Sequence, residues 1–191
     1  MINIQNKIII ITAPSGAGKS TITHYLINKF PALSFSISAA TRSPRGLEQD
    51  AVEYYFLTED AFKQKINEDA FLEWEMVYEG KYYGTLKSEL DRIWAAGKVP
   101  ILDIDVKGAI HVQQQFGENC LSIFIEPPSV EELKKRLESR GTETPESLAT
   151  RINKASYEIS FNHRFTKTIV NEDLSRACAE TEGVIKNFLG W

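Results

Sequence analysis

The chain predicts an α/β fold in which helices flank a parallel sheet, and three observations carry that prediction. Uninterrupted apolar runs at Ile8–Ile11, Val99–Asp105 (V-P-I-L-D-I-D) and Cys120–Glu126 (C-L-S-I-F-I-E) read as strands buried on both faces. Helical patterns alternate with them, as in βα units. An aromatic-rich, antiparallel insert of β character is expected between the first run and the second. At 191 residues, with 42% hydrophobic and 25% charged residues, the chain suits one domain with a proper core and excludes disorder.

The first run leads into A-P-S-G-A-G-K-S-T, Ala13 to Thr21, and then into a helical pattern carrying Ile22, Leu26, Ile27 and Phe30. Strand, glycine-rich loop and helix are the context of a phosphate-binding loop formed by Ala13, Pro14, Ser15, Gly16, Ala17, Gly18, Lys19, Ser20 and Thr21. Gly16 and Gly18 can take backbone angles closed to other residues, so successive N–H groups turn inward on an anion at the helix N-terminus. Lys19 adds an ammonium for the β- and γ-phosphates, and Ser20 offers a hydroxyl to Mg²⁺. A glycine-rich turn that merely ends in Lys-Ser is the alternative, and the flanking strand and helix weigh against it. The chain is expected to bind a nucleoside triphosphate.

The net charge of −4 counts against a nucleic-acid surface, which needs a basic face. Cys120 and Cys178 form no C-x-x-C pair, and His24, His111 and His163 lack metal-ligand spacing. The first 12 residues show no leader and no run is long enough to span a bilayer, so no membrane association and a cytoplasmic location are expected. The sequence leaves the oligomeric state open.

After the first helix, Phe35 to Ser38 alternates like a short strand and runs into a loop, Ala39 to Gly46, with Arg42 and Arg45. Two guanidiniums there suit a phosphate clamp, and a solvated basic loop fits equally well. The insert continues with strand-like Glu53–Leu57, a helix capped by Thr58 and running through Asn67, an alternating strand Phe71–Tyr78 with Glu73 and Glu75 on one face, and Lys81–Thr85 before a helix from Leu86 to Ala96. Its aromatics Tyr54, Tyr55, Trp74, Tyr78, Tyr82 and Tyr83 suit either a small core or an acceptor-binding module. Ligands of such sheets bind at the carboxyl ends of strands, which puts Asp103 and Asp105 by the phosphate loop. Either can hold the water shell of Mg²⁺, with Asp103 the better candidate because Asp105 also suits a helix cap.

Pro127 and Pro128 close the third run, and Ser129 with Glu132 suggests a capping box. The helix that follows carries Arg136 and Arg140 on one face and stops at Gly141; Thr144 and Pro145 start another, which carries Arg151. This arginine-bearing flap reads as a lid, with salt bridges to nearby glutamates as the alternative. Ile169–Asn171 reads as the last strand and Ala177–Leu189 as the closing helix.

Taken in order, A-P-S-G-A-G-K-S-T, T-R-S-P-R, Y-Y-F, F-L-E-W, Y-Y-G-T, I-L-D-I-D-V-K-G, P-P-S-V-E-E-L-K-K-R-L-E-S-R-G-T-E-T and I-V-N-E-D-L resemble the guanylate kinase family over nearly the whole chain. The resemblance implies a P-loop nucleoside-monophosphate kinase fold: one domain with its core at 1–34, 97–130 and 165–191, a β-rich GMP-binding lobe over about 35–96 and a helical lid over about 131–164. It implies ATP- and Mg²⁺-dependent phosphorylation of GMP to GDP. By position, Ser38, Arg42, Arg45, Tyr54, Glu73, Tyr83, Thr85 and Asp105 match the family's GMP-binding residues. Arg136, Arg140 and Arg151 match its lid arginines, which would act with Lys19 in catalysis, and Asn171 falls where the family meets adenine. Ala13 departs from the usual first loop glycine, Leu47 and Ala51 replace glycines, and Glu53 replaces aspartate. Domains resembling this family also serve as protein-interaction modules that have lost the phosphate loop and lid arginines, which this chain retains. A kinase acting on a sugar phosphate is a further alternative, against which the Glu73 base contact argues.

Overall fold

The computed structural model describes residues 6–139 and 144–191. Along the chain run β1 (Ile8–Thr12), α1 (Lys19–Lys29), β2 (Leu33–Phe35), β3 (Ser38–Ala40), β4 (Tyr54–Phe56), α2 (Glu59–Asn67), β5 (Phe71–Tyr78), β6 (Lys81–Leu86), α3 (Lys87–Ala95), β7 (Val99–Leu102), α4 (Val106–Phe116), β8 (Cys120–Glu126), α5 (Val130–Glu138), α6 (Pro145–Ile159), β9 (Lys167–Val170) and α7 (Leu174–Leu189). A five-stranded sheet has the order β2-β7-β1-β8-β9, parallel throughout.

The isoleucine run explains why β1 is central. Ile9 and Ile11 face a core with Ile22 and Leu26 of α1 and Ile185 and Leu189 of α7. Ile8 and Ile10 face the opposite layer, with Leu90 of α3 and Val106 and Val112 of α4. All four isoleucines are fully buried, each burial worth about 1.5–3 kcal/mol, so a polar residue at any of them would break the sheet's centre.

The insert forms a second, four-stranded sheet of order β4-β3-β6-β5. Its core is Phe62 of α2 stacked on Phe71 of β5 with centroids 4.3 Å apart, beside Ala39 and Leu86. Thr58 caps α2, accepting from the Ala61 N–H at 3.2 Å. The pairing of β3 with β4 is parallel, which corrects the expected antiparallel insert; only β3–β6 and β5–β6 are antiparallel.

Several element bounds also shift. The expected strand Phe35–Ser38 is two strands in different sheets. Ser36 N–H still donates to Ile101 O of the parallel sheet at 2.9 Å, while Ile37 N–H donates to Glu89 Oε1 at 3.0 Å, so the chain leaves one sheet for the other between them. The run at Val99 stops as a strand at Leu102, and Asp105 caps α4 through the Gly108 N–H at 2.7 Å. Asp173 starts α7 at Leu174, three residues before the expected Ala177. Ser129 caps α5, and Thr144 with Ser147 makes a full capping box on α6. Leu133, Leu137 and Ala155 pack these two helices together. Arg140 and the Gly141 stop lie outside the described residues.

Candidate active site

The loop after β1 takes the shape its glycines allow. Gly16 and Gly18 have φ of 94° and 98°, and Gly18 is the N-cap of α1, so the helix dipole points into the loop. A Cβ on Gly16 would lie 2.9 Å from Leu137 Cδ2, so α5 packs against the loop. A Cβ on Gly18 would lie 2.2 Å from Asn171 Nδ2. Asn171 is 4% exposed and its Nδ2 donates to Ala17 O at 2.7 Å, so its side chain holds the loop in place. Ala17 N–H donates to Pro14 O at 3.0 Å and closes the turn. Ala13 is not among the described residues with positive φ, so the missing glycine there costs the backbone nothing. Ser20 and Thr21 are exposed in the first turn of α1.

Lys19 is ion-paired to Asp103, just beyond β7. Thr12 Oγ1 donates to Ile104 O at 3.0 Å, which pins the Asp103–Asp105 segment to the end of β1. The two carboxylates therefore part company: Asp103 faces the loop lysine and Asp105 faces the second sheet. Ser20 and Asp103 present only oxygen donors, a set that fits Mg²⁺. Among the described residues, no group of three or more His, Cys, Asp or Glu could hold a metal ion.

The residues expected to hold the acceptor fall into two groups. In one, Arg42 lies over Tyr54, 4.7 Å from its ring centroid, and Tyr54 meets Tyr83 edge-on at 6.2 Å. Ser38 pairs with Tyr54 in register, which brings it to the same place. Arg42 is held by Glu48 through a two-pronged pair at 2.5 and 2.8 Å, and this pair holds the Glu48 carboxyl down to about 2. Arg45 meets Glu48 through its backbone, its N–H donating to Glu48 Oε2 at 2.8 Å and its carbonyl accepting from the Glu48 N–H at 3.1 Å, and the residue is exposed.

In the second group Thr85 Oγ1 donates to Glu73 Oε1 at 2.7 Å. A Cβ on Gly108 would lie 3.0 Å from Glu73 Oε2 and 3.1 Å from Asp105 Oδ1, so only glycine lets α4 come so close to both carboxylates. Glu73, Glu75, Asp105, Lys107 and His111 share a cleft of about 540 Å³ between β5 and α4. Burial pushes the Glu73 carboxyl up to about 7, and the Thr85 hydroxyl only partly offsets it. A hydrogen bond to Asp105 and burial push Glu75 up to about 7 as well.

Of the expected lid arginines, Arg151 of α6 reaches across to the loop, where Nη1 donates to Ser15 Oγ at 2.6 Å. Arg136 of α5 pairs with Glu132 at 3.4 Å. Glu48, Glu75 and Glu89 escaped the sequence reading as partners of the site. Glu89 and Arg92 had an i, i+3 signal, but charged residues in loops and on helix faces otherwise look like solvated surface.

This combination of loop, paired carboxylates and arginine flap agrees with what comparison with known proteins finds. The guanylate kinase family model matches residues 5–188. Over 186 residues the chain is 50% identical to a guanylate kinase of Bacteroides fragilis (strain YCH46), covering 97% of this chain and 91% of that protein. Against a guanylate kinase of Chlorobium chlorochromatii (strain CaD3) the identity is 46% over 186 residues, covering 97% of each. The crystal structure of guanylate kinase from Anaplasma phagocytophilum is similar with a TM-score of 0.75 at 25% identity, covering 98% of this chain and 88% of that one. With the match extending from the strand before the loop to the last helix, the chain belongs to the guanylate kinase family.

Proposed function

We propose that the chain is a GMP kinase that moves the γ-phosphoryl group of ATP to the phosphate of GMP, giving ADP and GDP, in the cytoplasm and with Mg²⁺. The observation that carries the base assignment is Glu73, half-buried, held by Thr85 and close to Asp105. Guanine presents N1–H and an exocyclic amine side by side, and an ionised carboxylate accepts both. Adenine offers a lone pair at N1, which would leave a carboxylate facing an acceptor. Ser38 and Thr85 help to hold the base, and Arg42, Arg45, Tyr54 and Tyr83 take the monophosphate.

The loop N–H groups of Gly16–Gly18 and Lys19 hold the β- and γ-phosphates of ATP, and Asn171 supports that loop beside the adenine. To reach a phosphate Lys19 leaves Asp103, and a carboxylate so released, with the Ser20 hydroxyl, can hold Mg²⁺. When bound, the metal neutralises charge on the β- and γ-phosphates. An oxygen of the GMP phosphate then attacks the γ-phosphorus in line, and the bond from that phosphorus to the β,γ-bridging oxygen breaks as ADP leaves. No strong base is required, because the acceptor is already an anion. Positioning and charge carry the step, with Arg136, Arg140 and Arg151 on a lid covering the transferring group. A closed lid excludes the water that would otherwise hydrolyse ATP.

A coupled assay of ADP release from Mg-ATP, with GMP, AMP, UMP, CMP and a sugar phosphate offered separately, tests this. Turnover with GMP alone is expected. Equal turnover with AMP would remove Glu73 from base selection, and turnover with the sugar phosphate alone would replace the acceptor.

A further inference from the structure

Glu89 is a buried carboxylate with no part in the reaction outlined above, and it sits where the two sheets meet. The residue is 2% exposed. Its Oε1 accepts from the Ile37 N–H at 3.0 Å and from Arg92 Nη2 at 2.7 Å; its Oε2 accepts from the Tyr55 hydroxyl at 2.7 Å and from Arg92 Nε at 2.8 Å. A buried carboxylate is costly unless its lone pairs are met, and four donors meet them here. Burial works against its charge, and the Arg92 fork, the Ile37 N–H and the Tyr55 hydroxyl outweigh that and hold the carboxyl below the ordinary glutamate range.

The partners come from different parts of the fold. Ile37 is the point at which the chain has left the parallel sheet, since the preceding N–H still belongs to Ile101 O. Tyr55 is the middle residue of β4, the outer strand of the second sheet. Glu89 itself stands in the first turn of α3, which follows β6 directly and packs against β7 of the parallel sheet. One carboxylate thus ties the crossover, the far strand of the second sheet and a helix seated on the first. The chain neighbours of the tied residues are Ser38 and Tyr54, and Thr85 lies four residues before Glu89, near the end of β6.

We propose that Glu89 is a positioning residue that sets the second sheet over the parallel sheet, and with it the contacts to the acceptor nucleotide. The proposal rests on the GMP-kinase reading for its kinetic consequence. The donor side stands apart from this clamp, because the loop is held by Asn171 and packed by α5. Loss of the clamp therefore acts on GMP and spares ATP, whereas loss of a merely stabilising ion pair acts on neither selectively.

The test compares Glu89→Ala, Glu89→Gln and Tyr55→Phe with the unaltered chain, varying GMP and ATP separately. Tyr55→Phe removes one hydroxyl and leaves the Ile37 and Arg92 bonds, so it answers the question even where Glu89→Ala folds poorly. Expected is a rise in KM for GMP of about tenfold in Glu89→Ala with KM for ATP within about twofold, partial rescue in Glu89→Gln, and a smaller change of the same kind in Tyr55→Phe. In the free protein, amide exchange in Glu89→Ala should quicken at Ile37–Ala40 and Tyr54–Phe56 while β1 stays protected. Equal factors on GMP and ATP, or no change in any variant, would overturn the proposal. Absence of GMP turnover in the unaltered chain would instead overturn the kinase reading, and the exchange pattern then decides: local quickening supports the clamp, and uniform or absent quickening rejects it.

Discussion

Burial raises the Glu73 carboxyl from 4.5 to about 7, the Thr85 hydroxyl pulls it back, and the neighbouring Asp105 charge adds to the rise. In the proposed site only the ionised form accepts both guanine hydrogens, so GMP must drive a proton off whenever it binds below about pH 7. Affinity for GMP is expected to fall by roughly tenfold per unit as the pH drops below that point and to level off above it. The GMP phosphate also titrates near pH 6, and Glu73→Gln separates the two, since it keeps the phosphate's share and loses its own. Calorimetric titration of both proteins from pH 5.5 to 8 measures this, and superimposable profiles would remove Glu73 from the base contact. The same substitution should lower kcat/KM for GMP by about 10²- to 10⁴-fold. A second single-residue expectation concerns Ala51, whose φ of 60° is left-handed where the family usually has glycine. That backbone costs an alanine about 1–2 kcal/mol, and glycine returns part of it as unfolded-chain entropy. Ala51→Gly should therefore stabilise the chain by about 0.5–1 kcal/mol in urea unfolding, and a loss of stability would mean that the Ala51 methyl makes a contact worth more than the strain.

At the scale of elements, the arginine that reaches the phosphate loop is placed by the start of its helix. Thr144 accepts from the Ser147 N–H at 3.2 Å, Ser147 Oγ accepts from the Thr144 N–H at 3.0 Å, and Pro145 fixes the first turn of α6. Arg151→Ala should lower kcat by about 10³-fold with KM for GMP changed only a few-fold, because its charge would matter at the transferring group. Thr144→Ala should cost about 1 kcal/mol of stability and only a few-fold in kcat. Chemical denaturation and single-turnover phosphorylation measure the two, and an Arg151→Ala defect confined to KM would deny it a transition-state role. Caps such as Thr58, Ser129 and Thr144 were legible in the sequence because a cap is made by residues three apart. The isoleucine run of β1 was legible because burial on both faces leaves no polar alternation. The crossover at Ser36–Ile37 was not, since its hydrogen bonds come from Ile101 and Glu89, far along the chain. The parallel pairing of β3 with β4 hides for the same reason: register depends on the loop between them, and the polar residues of that loop look solvated until Glu48 is seen on Arg42.

At the scale of the whole molecule the acidic residues divide into two sets with opposite effects on stability. Glu73 and Glu75 stand at about 7, and burial raises Glu158 in the same direction. A carboxyl raised in the folded state favours folding while protonated, so its contribution is full below about 4.5 and is lost as the pH rises through about 7. Glu48, beside Arg42, and Glu182, beside Lys186 and Lys29, are held down to about 2, and Glu89 is lowered as well. Their contribution is full above about 4.5 and is lost as the pH falls through about 2. The contribution of Glu48 and Glu182 is already full near neutrality and does not change there, so the raised set in the cleft should dominate the slope in that range. The ligand-free protein is therefore expected to melt highest near pH 5 and at falling temperatures from there to pH 8. GMP offsets the Glu73 share of that slope, because it supplies donors to the ionised carboxylate; at a hundred times its Kd it adds about 2.7 kcal/mol. That excess is held at pH 8 and requires far more nucleotide at pH 5.5. Melting curves with and without GMP across this range read the result directly. A ligand-free melting temperature that climbs steadily from pH 5 to 8 would mean that the cleft carboxylates are already ionised and paired, and that base recognition involves no proton release.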